Sequence, residues 1–226
     1  FGFHEVKVAL STRPAKRLGS DETWDQAEKA LADALIDRGY EFTMNPGEGA
    51  FYGPKIEFQV SDALKRPWQL GTLQLDFLLP QRFHLKYIQS DGTEAHPVML
   101  HRAILGSLER FFGILVEHCG GAFPVWLAPV QMILLPITDR TNAMAEKIAA
   151  QAQDLGIRAE LDLRNEKVNA KIRDAQLQKI PYMVVLGDRE VETGQVAVRH
   201  RTQGDLGQKP LEAFLAQISQ EIKARA

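Results

Sequence analysis

Apolar residues alternate with polar ones along the early part of the chain, then shift to helical spacing. Val6, Val8 and Leu10 share one face of a predicted strand, Glu5–Leu10. Trp24–Arg38 repeats its apolar positions as an amphipathic helix, with Thr23 as the expected N-cap and Gly39 as the stop. Phe42–Met44, Lys55–Val60, Trp68–Phe77 and Phe83–Ile88 read as further strands, and Ser90-Asp91-Gly92 as a turn. Strand after strand around one helix predicts a mainly antiparallel sheet. Pro97–His118 reads as one long helix, because Ile104, Leu108, Phe111, Phe112 and Leu115 recur at helical spacing.

The pattern changes after Gly120-Gly121-Ala122-Phe123-Pro124, whose glycines and proline read as a helix stop and linker. This sets two domains, 1–124 and 125–226. Strands are predicted over Val130–Pro136, Arg158–Leu163, Tyr182–Leu186 and Gln195–Arg201. Helices are predicted over Asn142–Leu155, ending at Gly156, and over Val168–Gln178 and Leu211–Lys223. The alternation predicts a small α/β domain with parallel pairing and helices on both faces. The whole chain is thus of the α/β (α+β) class.

Composition narrows the function classes. Hydrophobic residues make up 45% and charged residues 25%, an ordinary globular balance. A net charge of −2 gives no global pull toward nucleic acid, so any RNA contact must come from local basic patches. The single cysteine, Cys119, excludes an internal disulfide and fits a reducing cytoplasm. Apolar runs are short and broken, so no membrane span is expected. Phe1-Gly2-Phe3-His4-Glu5 lacks the basic start and apolar stretch of a signal peptide, and lacks an initiator Met; the chain is expected to begin in mid-protein.

Several segments carry candidate chemistry. On the helical reading, Gly106 costs about 1 kcal/mol against Ala, which a closely approaching ligand or backbone would justify. Arg110 then shares an edge with Gly106 and Ser107, and its planar cation can stack on a base or fork onto phosphate. A surface Arg–Glu helix with Gly as a packing notch fits the same residues. The Gly47–Gly53 loop lets Tyr52 and Lys55 project beside a ligand, or is a turn with a solvated Lys. Gln69, Thr72 and Gln74 lie between apolar neighbours, and Gln74 faces away from Leu73 and Leu75. Their neutral groups suit uncharged recognition, or form an exposed polar strand face. His101 alone is more often a satisfied group than a ligand. In the second domain, Leu163-Arg164-Asn165-Glu166-Lys167, Lys171-Ile172-Arg173, Gly187–Glu192 and Val196–Arg201 bring polar and basic groups toward one end of the sheet. Such groups can read a single-stranded loop or form a solvated rim of ion pairs.

The segment Gly106-Ser107-Leu108-Glu109-Arg110-Phe111-Phe112-Gly113 resembles motif 3 of the class II aminoacyl-tRNA synthetases. His96–Ser107, Gly47–Glu57, Gln69–Phe77 and Leu10–Pro14 resemble the threonyl branch of that class, and Leu163–Lys167 with Gly187–Glu190 resemble the class IIa anticodon-binding domain. The resemblance runs essentially end to end. It implies the later half of an antiparallel-sheet catalytic domain, then an anticodon-binding domain with a mixed sheet. It implies that Arg110 holds ATP, that Lys55 reaches the reacting region, and that both are catalytic. It places Tyr52 beside threonine, and Gln69, Thr72, Gln74 and Ser107 among the substrate- and ATP-binding residues. His101 matches the second His of a zinc site whose Cys and first His are expected upstream of Phe1, as are motifs 1 and 2; Cys119 does not match the ligand pattern. Zinc with three protein ligands keeps an open position. In the family, threonine's amino and hydroxyl groups take it, which rejects valine. Asn165, Arg173, Glu190 and Arg199 match anticodon-reading positions.

The implied function is ATP-dependent activation of threonine and its transfer to tRNA(Thr) in the cytoplasm, with magnesium accompanying ATP and a homodimer as the full-length enzyme. The rivals are another class IIa enzyme, prolyl or glycyl, and a truncated synthetase-like module that binds tRNA without aminoacylation. One further expectation follows: a glycine-notched helix brings His101 and Arg110 to the same pocket.

Overall fold

Strand β1 (Val6–Ser11) turns Val8 and Leu10 toward Leu31 and Leu35 of helix α1 (Asp21–Asp37), where they are buried together with Ile56. The computed structural model describes residues 1–225 and divides into two units, Phe1–His118 and Cys119–Ala226. In the first unit, α1 is capped by Ser20 rather than Thr23: Ser20 Oγ accepts from Thr23 N at 3.3 Å. Asp21 and Glu22 extend the helix one turn earlier than expected, where their charge complements the helix dipole. Gly39, at φ +69°, ends the helix as expected.

Next come β2 (Thr43–Asn45), β3 (Lys55–Ser61), β4 (Pro67–Asp76), the short helix α2 (Leu78–Arg82), the pair β5 (Tyr87–Ile88) and β6 (Glu94–Ala95), β7 (Met99–Ala103) and α3 (Leu108–Cys119). The sheet order is β2-β1-β3-β4-β7, antiparallel except for β1 with β2. Asp76 Oδ1 accepts from Leu78 N at 2.8 Å and Leu79 N at 3.0 Å, so α2 starts directly after β4. Phe83 caps α2, which leaves only Tyr87–Ile88 of the expected Phe83–Ile88 strand.

The long helix Pro97–His118 does not form. Met99–Ala103 is a strand on the β4 edge, with His101 opposite Gln74 and Ala103 opposite Thr72. Gly106 turns the chain at φ +71°, and α3 begins only at Leu108. The open β4 edge needs partners for its backbone groups, and that non-local demand overrides the local helical spacing. Ile104 and Leu108, 69% and 71% exposed, belong to no core; Phe111, Ile114 and Leu115 are the buried face of α3.

The second unit contains β8 (Met132–Pro136), α4 (Asn142–Asp154), β9 (Ala159–Leu161), α5 (Val168–Leu177), β10 (Tyr182–Leu186), α6 (Asp188–Thr193), β11 (Gln195–His200), β12 (Gly204–Pro210) and α7 (Leu211–Ala224). Its sheet runs β12-β11-β10-β8-β9; β9, β8 and β10 are parallel, while β11 and β12 are antiparallel. The sheet is mixed, and helices cover both faces. Ile148 of α4 and Phe214 of α7 pack with Leu134 and Val184 on one side, and Ala175 of α5 with Leu135 and Met183 on the other. Burial on both faces explains why β8 reads as an unbroken apolar run, Met132-Ile133-Leu134-Leu135. Among the described residues no helix is long and apolar enough to cross a membrane.

Candidate functional site

The first sheet has one apolar and one polar face, and strand alternation decides which residue goes where. Leu73 and Leu75 pack toward the α1 core, so Thr72, Gln74 and Asp76 face the other way. The register sets Lys55 of β3 opposite Gln74 and Glu57 opposite Thr72, while His101 flanks Gln74 from β7. Gln69 would fall on the wrong face by simple alternation from Thr72. A register shift in the β3–β4 pairing, between Phe58 and Gln59, corrects this. Gln69 Nε2 then donates to Thr72 Oγ1 at 2.9 Å.

The Gly47–Gly53 loop places Tyr52 at this face. Its hydroxyl donates to Gln74 Oε1 at 3.1 Å, and its ring meets that of His101 edge-on at 6.3 Å. The loop seats so tightly that a Cβ on Gly53 would lie 1.7 Å from the Leu75 carbonyl oxygen. Only glycine permits that approach. Lys55 Nζ pairs with the buried Glu57 carboxylate.

His101 Nε2 lies 2.9 Å from Asp76 Oδ2. Burial pushes the Asp76 carboxyl up, but the His101 bond and the Leu79 and Leu78 N–H groups outweigh it and hold it below the usual carboxylate range. A histidine whose second ring nitrogen is engaged by a carboxylate is the usual form of a metal-ligating histidine, so His101 fits the expected zinc role as one donor. Among the described residues no group of three or more His, Cys, Asp or Glu could hold a metal.

Arg110 sits at the other end of β4. Its Nη1 donates to the Gln69 carbonyl at 3.3 Å, and its guanidinium lies 5.6 Å from the Trp68 ring centroid. The indole N–H of Trp68 donates to Asp62 Oδ2 at 2.9 Å. That bond is the chief reason the Asp62 carboxyl falls to about 2; burial opposes it, and the Arg66 backbone and side chain reinforce it. Ser107 caps α3: its Oγ accepts from Arg110 N at 3.1 Å and donates to Glu109 Oε2 at 3.0 Å. His101 and Arg110 therefore share no helix, and the expected common pocket is not formed: the cavity that Arg110 lines with Asp62, Trp68 and Glu109 does not include His101. They flank Gln74 and Gln69, separated by roughly 17 Å of strand. The structure thus gathers Tyr52, Lys55, Gln69, Thr72, Gln74 and His101 on one face and holds Arg110 and Ser107 at the β4–α3 junction.

Four polar partners went unseen in the sequence: Glu57, Asp62, Trp68 and Asp76. Two left a signal. Asp76 continues the Thr72, Gln74 alternation, and Glu57 lies two positions from Lys55.

In the second unit, Asn165 and Arg173 are exposed. Asn165 lines a cavity of about 210 Å³ with Thr138, Asp139, Asn142, Arg164 and Lys171, beyond the ends of β8 and β9. Buried Lys171 holds the cavity wall, donating to the Pro136 carbonyl at 3.0 Å and the Asp162 carbonyl at 2.9 Å. Glu190 is buried and engaged on both oxygens, by Gly187 N and Gln208 Nε2, each at 2.9 Å. Arg199 Nη1 lies 3.5 Å from Asp205 Oδ2, and its Nε is buried with no partner among the described residues.

Two family models match the chain: the tRNA synthetase class II core domain (G, H, P, S and T) over residues 1–119, and an anticodon binding domain over 131–221. The threonine–tRNA ligase of Halorhodospira halophila is 59% identical over 222 residues, 98% of this chain and 35% of that protein. That of Syntrophomonas wolfei is 57% identical over 223 residues, 99% of this chain and 35% of that protein. The chain thus spans about a third of the length of these curated relatives. Among solved structures, the RNA binding domain of threonyl-tRNA synthetase from Cryptosporidium parvum Iowa II matches with a TM-score of 0.89 and 41% identity, over 97% of this chain and 55% of that one. A putative threonyl-tRNA synthetase from Aeropyrum pernix matches with a TM-score of 0.73 and 28% identity, over 97% of this chain and 54% of that one.

Proposed function

We infer, for a chain that belongs to the class II tRNA synthetases, that it carries the later half of the catalytic domain (1–124) and the anticodon-binding domain (125–226) of an enzyme that joins threonine to its tRNA. The observation that carries the reading is the polar face of the first sheet. It sets two hydroxyls, two amides and an imidazole–carboxylate pair beside Lys55, held by strand register and by the Gly47–Gly53 loop. Neutral groups of this kind suit a small zwitterion with a hydroxyl, where a fixed charge would mismatch the side chain.

In the first step the threonine carboxylate attacks the α-phosphate of ATP, forming the mixed anhydride and releasing pyrophosphate. In the second a terminal ribose hydroxyl of the tRNA takes the threonyl group and AMP leaves. Catalysis is positioning plus charge stabilisation. Tyr52 and Gln74 orient threonine, Gln69 and Thr72 line the adjoining face, and Lys55 meets the developing phosphate charge. Arg110, anchored through Gln69 and Trp68, holds ATP, which enters with Mg²⁺, and Ser107 fixes the helix that carries it. His101 is one ligand of a zinc ion that, when bound, supplies a Lewis-acid position sensing the amino and hydroxyl groups together. Asn165, Arg173, Glu190 and Arg199 read the anticodon of tRNA(Thr). Asn165 and Arg173 are free to meet bases directly, while Glu190 also holds the loop at Gly187. The full-length enzyme is a cytoplasmic homodimer.

ATP–pyrophosphate exchange by the full-length enzyme tests this, with threonine, valine, proline and glycine in parallel. Exchange with threonine alone is expected. Exchange driven by proline or glycine would overturn the threonine reading. No exchange with any of them, alongside retained tRNA binding, would make the chain part of an accessory RNA-binding module.

A further inference from the structure

We propose that Asp76 is a positioning residue that fixes the tautomer of His101, placing the proton on Nε2 and leaving Nδ1 as the lone-pair donor for a metal. The inference rests on the reading of His101 as a zinc ligand and deepens it.

The argument begins with the asymmetry of the pair. The Asp76 side chain is 1% exposed and that of His101 41%, so the carboxylate is the anchor and the imidazole the part it holds. Asp76 cannot turn freely. Oδ1 accepts the Leu78 and Leu79 N–H groups at 2.8 and 3.0 Å, which leaves Oδ2 to face Nε2 at 2.9 Å. An ionised carboxylate only accepts, so the proton in this contact belongs to the imidazole. A neutral imidazole has one N–H, and its other nitrogen is the ligand. The chain junction is therefore used twice. The carboxylate that starts α2 also sets the protonation pattern of a ring on β7, two strands' width of chemistry joined through one buried side chain.

Asp76→Asn separates the two uses. Asn keeps an oxygen for the Leu78 and Leu79 N–H groups, and Asn and Asp are equally good at such positions. Its other terminus is an NH₂, which donates. Nε2 must then accept, the proton moves to Nδ1, and the outward lone pair is lost although the ring stays in place.

The test is ¹⁵N spectroscopy of the imidazoles in this chain, with His101 assigned from a His101→Gln spectrum. The wild type is expected to carry the Nε2–H tautomer and Asp76→Asn the Nδ1–H tautomer, with the backbone spectrum of α2 unchanged. In the full-length enzyme, Asp76→Asn is expected to weaken zinc binding about ten- to a hundredfold in chelator competition. A wild-type Nδ1–H tautomer overturns the proposal, and that measurement does not depend on the Asp76→Asn variant folding. So does an Asp76→Asn spectrum that keeps Nε2–H. The expected tautomers together with unimpaired zinc binding by full-length His101→Ala would sink the zinc reading of His101 and leave the tautomer lock standing.

Discussion

Replacing Gly106 by Ala separates two accounts of the segment that carries Arg110. If Gly106 lay inside a helix, Ala would stabilise the protein by about 1 kcal/mol. In the structure the sign reverses. Gly106 sits at φ +71°, a region that costs an L residue about 1–2 kcal/mol. An added Cβ would also lie 2.9 Å from the Leu70 carbonyl oxygen and 3.3 Å from Leu70 Cα. Those are backbone atoms of β4 at its bulge, buried beside Gly71, so accommodating the Cβ means shifting strand backbone rather than a flexible side chain. The two effects together destabilise the first unit by about 2 kcal/mol or more, so the two accounts differ by about 3 kcal/mol. Hydrogen exchange followed by mass spectrometry suits this chain, because it reads the first unit without mixing in the second. Amides of β4 and β7 are expected to exchange roughly thirtyfold faster in Gly106→Ala, since each 1.4 kcal/mol is a factor of about ten. Exchange slowed in the variant would refute the turn and restore the helix.

Arg110→Ala in the full-length enzyme is expected to lower ATP–pyrophosphate exchange by about a hundredfold or more, the scale for losing one stabiliser of developing charge; normal exchange would remove Arg110 from ATP binding. Asn165→Ala is expected to raise the KM for tRNA roughly tenfold while exchange and melting stay unchanged, because the side chain is exposed at a cavity rim; unchanged aminoacylation kinetics would count against it. Glu190→Ala is expected to lower the thermal stability of the second unit by about 1–2 kcal/mol, since it strips the partner from Gly187 N and Gln208; an unshifted melt would mean that those contacts carry no stability. Asp62 has a folded-state pKa of about 2 against an ordinary value of 3.8, so its contribution is present above about pH 4 and is lost as pH falls toward 2. Asp62→Asn is expected to flatten that part of the acid unfolding curve, read by tryptophan fluorescence, and an unchanged acid limb would contradict the Trp68–Asp62 bond.

What the sequence disclosed followed the range of the forces involved. The face of Gln74 was legible because Leu73 and Leu75 flank it, and alternation is a local rule. Gln69 required a bulge that Gly71 only hints at, since the place of the extra residue is decided by how β3 and β4 match along their whole length. The segment after Pro97 was misread for the same reason. Its apolar residues satisfy a helical period, and only the unpaired edge of β4, distant in sequence, makes Met99–Ala103 a strand. In the second unit the alternation of strands and helices is local again, so it was readable. Strand β12 was not, because Gly204-Asp205-Leu206-Gly207 has turn composition, with both glycines at positive φ, and joins the sheet only through pairing with β11 on either side of a register shift. Glu190 looks like a free surface acid until α6 places it over Gly187.

These particulars make β4 the organising element of the site, through hydrophobic packing more than through polar contacts. Fully burying a leucine or isoleucine is worth about 1.5–3 kcal/mol, and the partly buried Leu73 and Leu75 each contribute a share of that to a common core, whereas the Tyr52–Gln74 and Gln69–Thr72 bonds are worth about 1 kcal/mol each. A one-residue slip of β4 would put Gln74 into the α1 core and Leu75 onto the polar face. The seating of Leu73 and Leu75 beneath α1 therefore decides which side chains Lys55 and His101 meet. Gly53 reinforces the choice, because its contact with the Leu75 carbonyl admits no other residue. At the far end of the same strand, the Gln69 carbonyl receives Arg110. The separation between the Tyr52–His101 end of the polar face and Arg110 is then a fixed number of strand residues, set by the core.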